Sequence, residues 1–383
     1  MMARRCRIVH VVYSFSIGGL ENVIVQLING LPVDEFEHVV LSLTHVSDFK
    51  DRVARDDVRF IALDKAPGHA LPLYPKIYAL LRELKPDVLH TCNLAAMELV
   101  PLGWLAGVPR RIQAEHGWDS HDPQGTNARY RRLRKIYKPF ISHYVAVSQD
   151  IDNYLARSVG VPAARRSLIG NGVDTEFFSP LEKREALVAD CPFSAGKHWL
   201  IGTVGRLQTV KNQPLLARAF VRLLNMHPEA ADRLRLVIIG EGALRGEIEQ
   251  VLSDAGYAHL AWLPGARNDV SDLLKRLDCF ALPSQTEGTS CTLQEAMATA
   301  LTVVATAVGG NPALIEDGVT GLLVPPDDEE SLADALWHQF QHPEEAMKQG
   351  QMARKMAVER FSLESMVERY RALFLAPRES LGR

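Results

Sequence analysis

Two acids, Glu287 and Glu295, flank a Gly-Thr-Ser-Cys-Thr turn in "LPSQTEGTSCTLQEAMATALTVVATAVGGNP", residues 282–312. Gly288, Thr289 and Ser290 suit the start of a helix, where backbone N–H groups without helical partners can hold a phosphate oxygen. Glu287, just ahead of that start, is placed to reach hydroxyls on the uncharged side of such a ligand. Glu295 lies further along the helix, where a carboxylate can accept both hydroxyls of a ribose. A capped helix carrying two solvated acids would show the same residues, so the segment needs corroboration from elsewhere in the chain.

That corroboration comes from loops that follow apolar runs. In "GTVGRLQTVKNQPLL", Arg206 and Lys211 come one and six residues after Gly205, which with Gly202 clears space. An Arg fork and a Lys ammonium together neutralise a diphosphate without a metal. In "LVIIGEGALRGEIEQ", Gly240, Glu241 and Gly242 read either as a loop shaped around a planar group or ribose, or as a plain turn. In "SIGGLENVIVQL", Gly18 and Gly19 let backbone approach a ligand ahead of a helix, or simply make a tight turn. No GxGxxG is present, which disfavours a dinucleotide-dependent oxidoreductase. His116, in "QAEHGWDSHD", follows a strand-like run and precedes Gly117, so it can point towards a reacting sugar. His116, Asp119, His121 and Asp122 match no strong metal spacing, so no metal is expected.

These loops need elements to position them. Strand-like runs ("RIVHVVY", "HVVLSLT", "VRFIAL", "DVLHTC", "RRIQAEH", "HYVAVS", then "WLIGTVG", "LRLVIIG", "AWLPG", "CFALPS", "TVVATA", "GLLVPP") alternate with helical-period segments such as "ENVIVQLINGL". Alternation of this kind predicts parallel sheets covered on both faces. It occurs twice, so two doubly wound domains are expected, with ligands at the carboxyl ends of the strands and in the cleft between the domains. The expected division is 1–178, 179–360 and a tail, 361–383, whose Phe361, Met366, Tyr370 and Phe374 recur at helical spacing.

The bulk numbers agree with a globular α/β protein. The chain has 383 residues, 47% hydrophobic and 23% charged, with a formal charge of −3 that gives no reason to expect nucleic-acid binding. Five scattered cysteines without a CxxC pair point to reduced thiols and a cytoplasmic setting. The basic-then-apolar start reads as a buried first strand, not a signal peptide. Arg129, Arg131, Arg132, Arg134, Lys135 and Lys138 crowd ten positions. That run is either a solvated helical face or a surface for anionic lipid headgroups on the inner face of the cell membrane, or for the phosphates of a lipid-linked acceptor.

Taken together, "GGLEN", "HGWD", "VAVSQ", "IGNGVDTEFF", "GRLQTVKN", "IIGEG", "EGTSCTLQEAMA" and "GGNPALIEDGVTGLLVPPDD" resemble the retaining glycosyltransferases of family 4 over nearly the whole chain. More narrowly, the chain is similar to sugar transferases associated with exopolysaccharide and exosortase clusters. The resemblance implies the GT-B fold, two Rossmann-like domains facing across a cleft, with the last helix crossing back to the first. It implies donor contacts from Gly18, Gly19, Gly205, Arg206, Lys211, Gly240, Glu241, Gly288, Thr289, Ser290 and Glu295. His116, Glu287, Arg206 and Lys211 are the implied catalytic set. The family often carries a second glycine where this chain has Ser290. The activity implied is transfer of a hexose-type sugar from a UDP- or GDP-sugar to a glycan or lipid-linked acceptor, without a metal cofactor. A GT-B sugar-nucleotide epimerase and a non-catalytic sugar-nucleotide-binding assembly protein are the alternatives.

Overall fold

The computed structural model describes residues 4–118, 122, 125–181, 190–194 and 196–377. They fall into two compact units. One runs to Gly172 and resumes at Leu363; the other is Val173–Ser362.

In the first unit β1 (Cys6–Val12), β2 (Phe36–Ser42), β3 (Arg59–Ala62), β4 (Val88–Cys92), β5 (Arg110–Glu115), β6 (His143–Ala146) and β7 (Arg166–Leu168) form a parallel sheet in the order β3-β2-β1-β4-β5-β6-β7. The order reverses between β1 and β4, and a crevice opens at such a switch point, beyond the strand ends. Side chains alternate across the sheet. The even-numbered face carries Ile8, Val12, Phe36, Val40, Val88 and Cys92, covered by helices Gly19–Gly30 and Leu363–Leu375. The odd-numbered face carries Val9, Val11, Val39, Leu41 and Leu89, covered by helix Tyr74–Leu84. The final helix belongs to this unit because Met366, Tyr370 and Phe374, the residues at helical spacing, are buried in its core. The burial of one such aromatic ring contributes roughly 1.5–3 kcal/mol. At Gly30 a Cβ would lie 2.7 Å from a methyl of Val367, so glycine lets the two covering helices close up.

Three histidines interrupt that apolar even face. His10 Nδ1 lies 3.0 Å from His90 Nδ1, and His10 Nε2 lies 3.0 Å from His38 Nδ1, all three side chains being fully buried. Burial pushes the His10 and His90 rings well below the usual imidazole range, and His38 down to about 3, so the chain of rings is neutral at pH 7. Each ring then satisfies a neighbour without burying a charge.

The second unit repeats the plan with β8 (Trp199–Val204), β9 (Leu234–Ile239), β10 (Ala261–Gly265), β11 (Cys279–Leu282), β12 (Thr302–Thr306) and β13 (Leu322–Val324), in the order β10-β9-β8-β11-β12-β13. All pairs are parallel, and β8 and β11 flank the switch point. The division between units falls at 172/173, six residues ahead of the expected 178/179. Val173 N–H donates to Phe361 O at 2.8 Å, and Val173, Phe178 and Phe361 all pack with the second core. The tail accordingly rejoins the first unit at Leu363, not at Phe361. No helix among the described residues is long and apolar enough to cross a membrane.

Candidate functional site

The loops after β8 and β11 meet beyond the switch point. Gln285 N–H donates to Val210 O at 2.9 Å, and Asp327 Oδ1 accepts from both Asn212 Nδ2 at 2.8 Å and Gln285 Nε2 at 3.1 Å. On this frame Lys211 Nζ lies 2.6 Å from Glu287 Oε1, which also accepts from Ser284 Oγ at 2.6 Å. Glu287 is buried, its side chain 7% exposed, so the ammonium and the hydroxyl compensate a carboxylate taken out of water. The Lys211 stem passes over Gly205, whose Cβ position is 4.0 Å from Lys211 Cδ. Arg206 is exposed, and its guanidinium has no partner among the described residues, which leaves its fork available. The structure therefore joins Lys211 to Glu287 across 76 residues of sequence and leaves Arg206 at the rim.

Ser290 caps helix Cys291–Ala298, its Oγ accepting from Leu293 N–H at 3.4 Å. This side chain is committed to the helix start, so a serine at this position stabilises the turn that Gly288 and Thr289 lead into. Glu295 lies inside the helix, partly exposed, and burial pushes its carboxyl from an ordinary 4.5 up to about 8. A carboxyl shifted this far marks a candidate functional position. Gly240 has φ +142°, and a Cβ there would lie 2.0 Å from Gly205 O, so the loops after β8 and β9 require glycine at their contact. Glu241 is exposed and accepts from Arg245 Nη1 at 3.1 Å, a surface ion pair between the loop after β9 and the start of the next helix.

Gly18, Gly19 and His116 belong to the first unit. Gly18 caps helix Gly19–Gly30 in an extended conformation, and Gly19 is exposed with open space where its Cβ would be. His116 follows β5, its backbone N–H donating to Asn93 Oδ1 at 2.7 Å. Burial pushes the His116 ring down to about 4, so it acts as a neutral imidazole at pH 7. Of the other residues weighed as metal ligands, Asp119 and His121 lie outside the described residues. Asp122 accepts from Thr126 and Asn127 N–H at 2.8 and 3.0 Å, a turn contact ahead of helix Ala128–Tyr137.

The basic run is not a uniform charged face. Arg134 is buried and forms a two-pronged pair with Glu115, with both N···O distances 3.0 Å. Lys138 Nζ donates to Val159 O and Gly160 O, at 3.3 and 3.1 Å. Arg129, Arg132 and Lys135 remain exposed.

Sequence reasoning missed three supports of the site. Ser284 holds Glu287, Asn93 holds the His116 backbone, and Gly309 lets the chain pass Glu287. Gly309 has φ +51°, and a Cβ there would sit 1.8 Å from Glu287 O, so the Gly309-Gly310 loop after β12 requires glycine at its first position. That glycine pair was the readable signal for the last of these; Ser284 and Asn93 give none without contacts.

Two parallel sheets of this order, each reversing at a switch point, make two Rossmann-like units. Residues 17–177 match the family model described as Glycosyltransferase Family 4, and residues 199–342 match Glycosyl transferases group 1. The UDP-Gal:alpha-D-GlcNAc-diphosphoundecaprenol alpha-1,3-galactosyltransferase of Escherichia coli is 26% identical over 345 residues, 87% of this chain and 87% of that enzyme. The D-inositol 3-phosphate glycosyltransferase of Stackebrandtia nassauensis is 34% identical over 173 residues, 43% of this chain and 38% of that protein. The crystal structure of Anabaena HepE in complex with UDP has the same fold, with a TM-score of 0.81 at 19% identity over 97% of this chain and 100% of that one. The chain belongs to the glycosyltransferases of family 4.

Proposed function

We propose that this glycosyltransferase moves a hexose-type sugar from a UDP-sugar to a hydroxyl of a glycan or lipid-linked acceptor, with retention and without a metal. The Lys211–Glu287 pair beside the unpartnered Arg206 carries the reading. As the bond to the anomeric carbon breaks, negative charge grows on the departing diphosphate, where Arg206, Lys211 and the helix start at Ser290 stabilise it. Glu287, already held by Ser284, turns towards sugar hydroxyls when Lys211 engages phosphate. We assign no described side chain as a nucleophile; the leaving phosphate takes the acceptor proton on the face from which it departs. His116, neutral, hydrogen-bonds the donor sugar, and Gly18 and Gly19 close on phosphates or acceptor. The donor and the diphosphoundecaprenol acceptor in the E. coli relative's name support a UDP-sugar and a lipid-linked glycan. In this reading the protein works in the cytoplasm on exopolysaccharide or glycolipid assembly. Arg129, Arg132 and Lys135 meet anionic headgroups on the inner face of the membrane.

The test is thermal stabilisation by UDP-, GDP- and ADP-sugars in the presence of a chelator. A shift with UDP-sugars that is lost in Arg206→Ala is expected; none with any nucleotide sugar would sink the donor assignment. Glu295 supplies a second check. Its carboxyl must be ionised to accept two ribose hydroxyls, yet in the free protein it stays protonated up to pH about 8. Binding below that pH therefore releases a proton, and affinity for a sugar nucleotide rises with pH, by at most about tenfold per unit, levelling off above pH 8. Glu295→Gln is expected to bind more weakly and to show a flat profile by calorimetry between pH 6 and 9. A flat profile in the unmodified protein would remove Glu295 from the ribose.

A further inference from the structure

A cluster of which the proposed transfer uses only His116 lies at the carboxyl end of the first sheet. His90 and Cys92 are two apart on β4 and so share its even-numbered face. Cys92 pairs in register with Ala114 of β5, and His116 lies two residues beyond Ala114, returning to the same edge. The result is that an imidazole nitrogen of His90, Cys92 Sγ and an imidazole nitrogen of His116 all lie within 4.8 Å of one another, with His90 Nε2 3.9 Å from the sulfur. Both His116 ring nitrogens are buried, and the Asn171 side chain is the hydrogen-bonding neighbour of the ring. Behind the cluster, His90 Nδ1 is held by His10, which is held in turn by His38, and the Tyr370 and Phe374 rings pack edge-on against His90 at 5.7 and 5.5 Å. An outer partner that fixes the far nitrogen of an imidazole is what an ordered metal ligand has.

We propose that His90, Cys92 and His116 form a site for a borderline-soft divalent cation of the zinc class, and that its occupation inhibits transfer. Two imidazoles and a thiolate are a donor set that zinc and cobalt prefer, and three protein ligands leave a fourth position for water. Bond lengths near 2.0 Å to nitrogen and 2.3 Å to sulfur bring ligand atoms to about 3.3–3.8 Å apart, so the cluster closes by about 1 Å. As the sulfur–metal bond forms, the Cys92 thiol gives its proton to solvent. The same step draws the His116 ring onto the metal and away from the donor sugar; this inhibition, unlike the binding, rests on the role proposed above for His116. The cation is thus an inhibitor, and the transfer chemistry proceeds without it.

The experiment is a cobalt titration of the full chain. One Co²⁺ per chain is expected, with the near-ultraviolet absorption of a thiolate–cobalt bond, displaced by Zn²⁺ and absent in Cys92→Ser, whose folding is verified by its melting curve. No such band in the unmodified protein would overturn the site. So would a band that survives in Cys92→Ser, which would place the metal on a partly exposed thiol, Cys191 or Cys291. With Zn²⁺ at about ten times its dissociation constant, mass action leaves about a tenth of the transfer rate in the unmodified protein. Cys92→Ser keeps its full rate under the same conditions. A cobalt band together with zinc-insensitive transfer would support the site and overturn the part given to His116, so the two claims fail separately.

Discussion

Lys211→Ala is expected to lower sugar transfer by about 10²–10³-fold, the usual consequence of removing one preorganised group that stabilises developing charge. The ammonium is 24% exposed and 2.6 Å from the Glu287 carboxylate, so it sits where a diphosphate entering beyond β8 and β11 can share it. Truncation also leaves Glu287 buried with only the Ser284 hydroxyl to compensate it, and an uncompensated buried charge costs on the order of 3 kcal/mol. The expected signature is therefore double: a lost rate and a lowered melting temperature. Adding Glu287→Gln should restore the melting temperature and leave the rate low, because the charge problem is solved and the phosphate clamp is not. Arg206→Ala is the complementary case. Its guanidinium makes no hydrogen bond or ion pair among the described residues, so stability should be unchanged while transfer falls. Steady-state rates with a donor that binds, set beside melting curves, decide the matter. Full-rate transfer by Lys211→Ala would end the assignment.

The largest effect on stability is expected from Arg134→Met, about 3–5 kcal/mol. Glu115 closes β5 with its side chain only 3% exposed, and Arg134, 6% exposed, is the cation that meets it through both oxygens. The guanidinium also lies over the Tyr154 ring at 5.5 Å, so the pair is packed as well as charged. Removing the arginine alone strands the carboxylate. Replacing both, as Arg134→Met with Glu115→Leu, should recover most of the loss, since well-packed apolar side chains of similar volume do as well as a buried ion pair. Urea unfolding of the single and double variants measures this. A single variant within 1 kcal/mol of the parent would show that water reaches Glu115.

The same pair shows where sequence reading stops. In "NARYRRLRKIY" all five basic residues look alike, and only the helix's placement shows that Arg134 faces inward beneath Tyr154 while Arg129, Arg132 and Lys135 face out. A clue existed: an acid ending a strand whose preceding residues are buried demands a cation. The sheets were legible because strands buried on both faces read as continuous apolar runs. β7 was missed for the opposite reason, being three residues at a sheet edge, "RSL", with little to bury. Around the candidate site the residue types and their loops could be read, but not their pairings. Nothing in the sequence says that Lys211 and Glu287 touch, that Ser284 shares the same oxygen, or that His90 and Cys92 close on His116. Those follow from register between strands far apart in the chain, as with Cys92 opposite Ala114.

The chain enters the second unit at Val173 and leaves it at Ser362, so that whole unit is an insertion in the first. The order of synthesis is therefore the reverse of the order of completion. The seven strands of the first sheet leave the ribosome before the second unit, but Met366, Tyr370 and Phe374, which help cover their even-numbered face, leave it after that whole unit. Until then the His10–His38–His90 row lacks the Tyr370 and Phe374 rings that pack on it, while the second unit, contiguous in the chain, already holds everything its own core requires. A nascent chain cut short just before Leu363 would carry a finished second unit and an open first one.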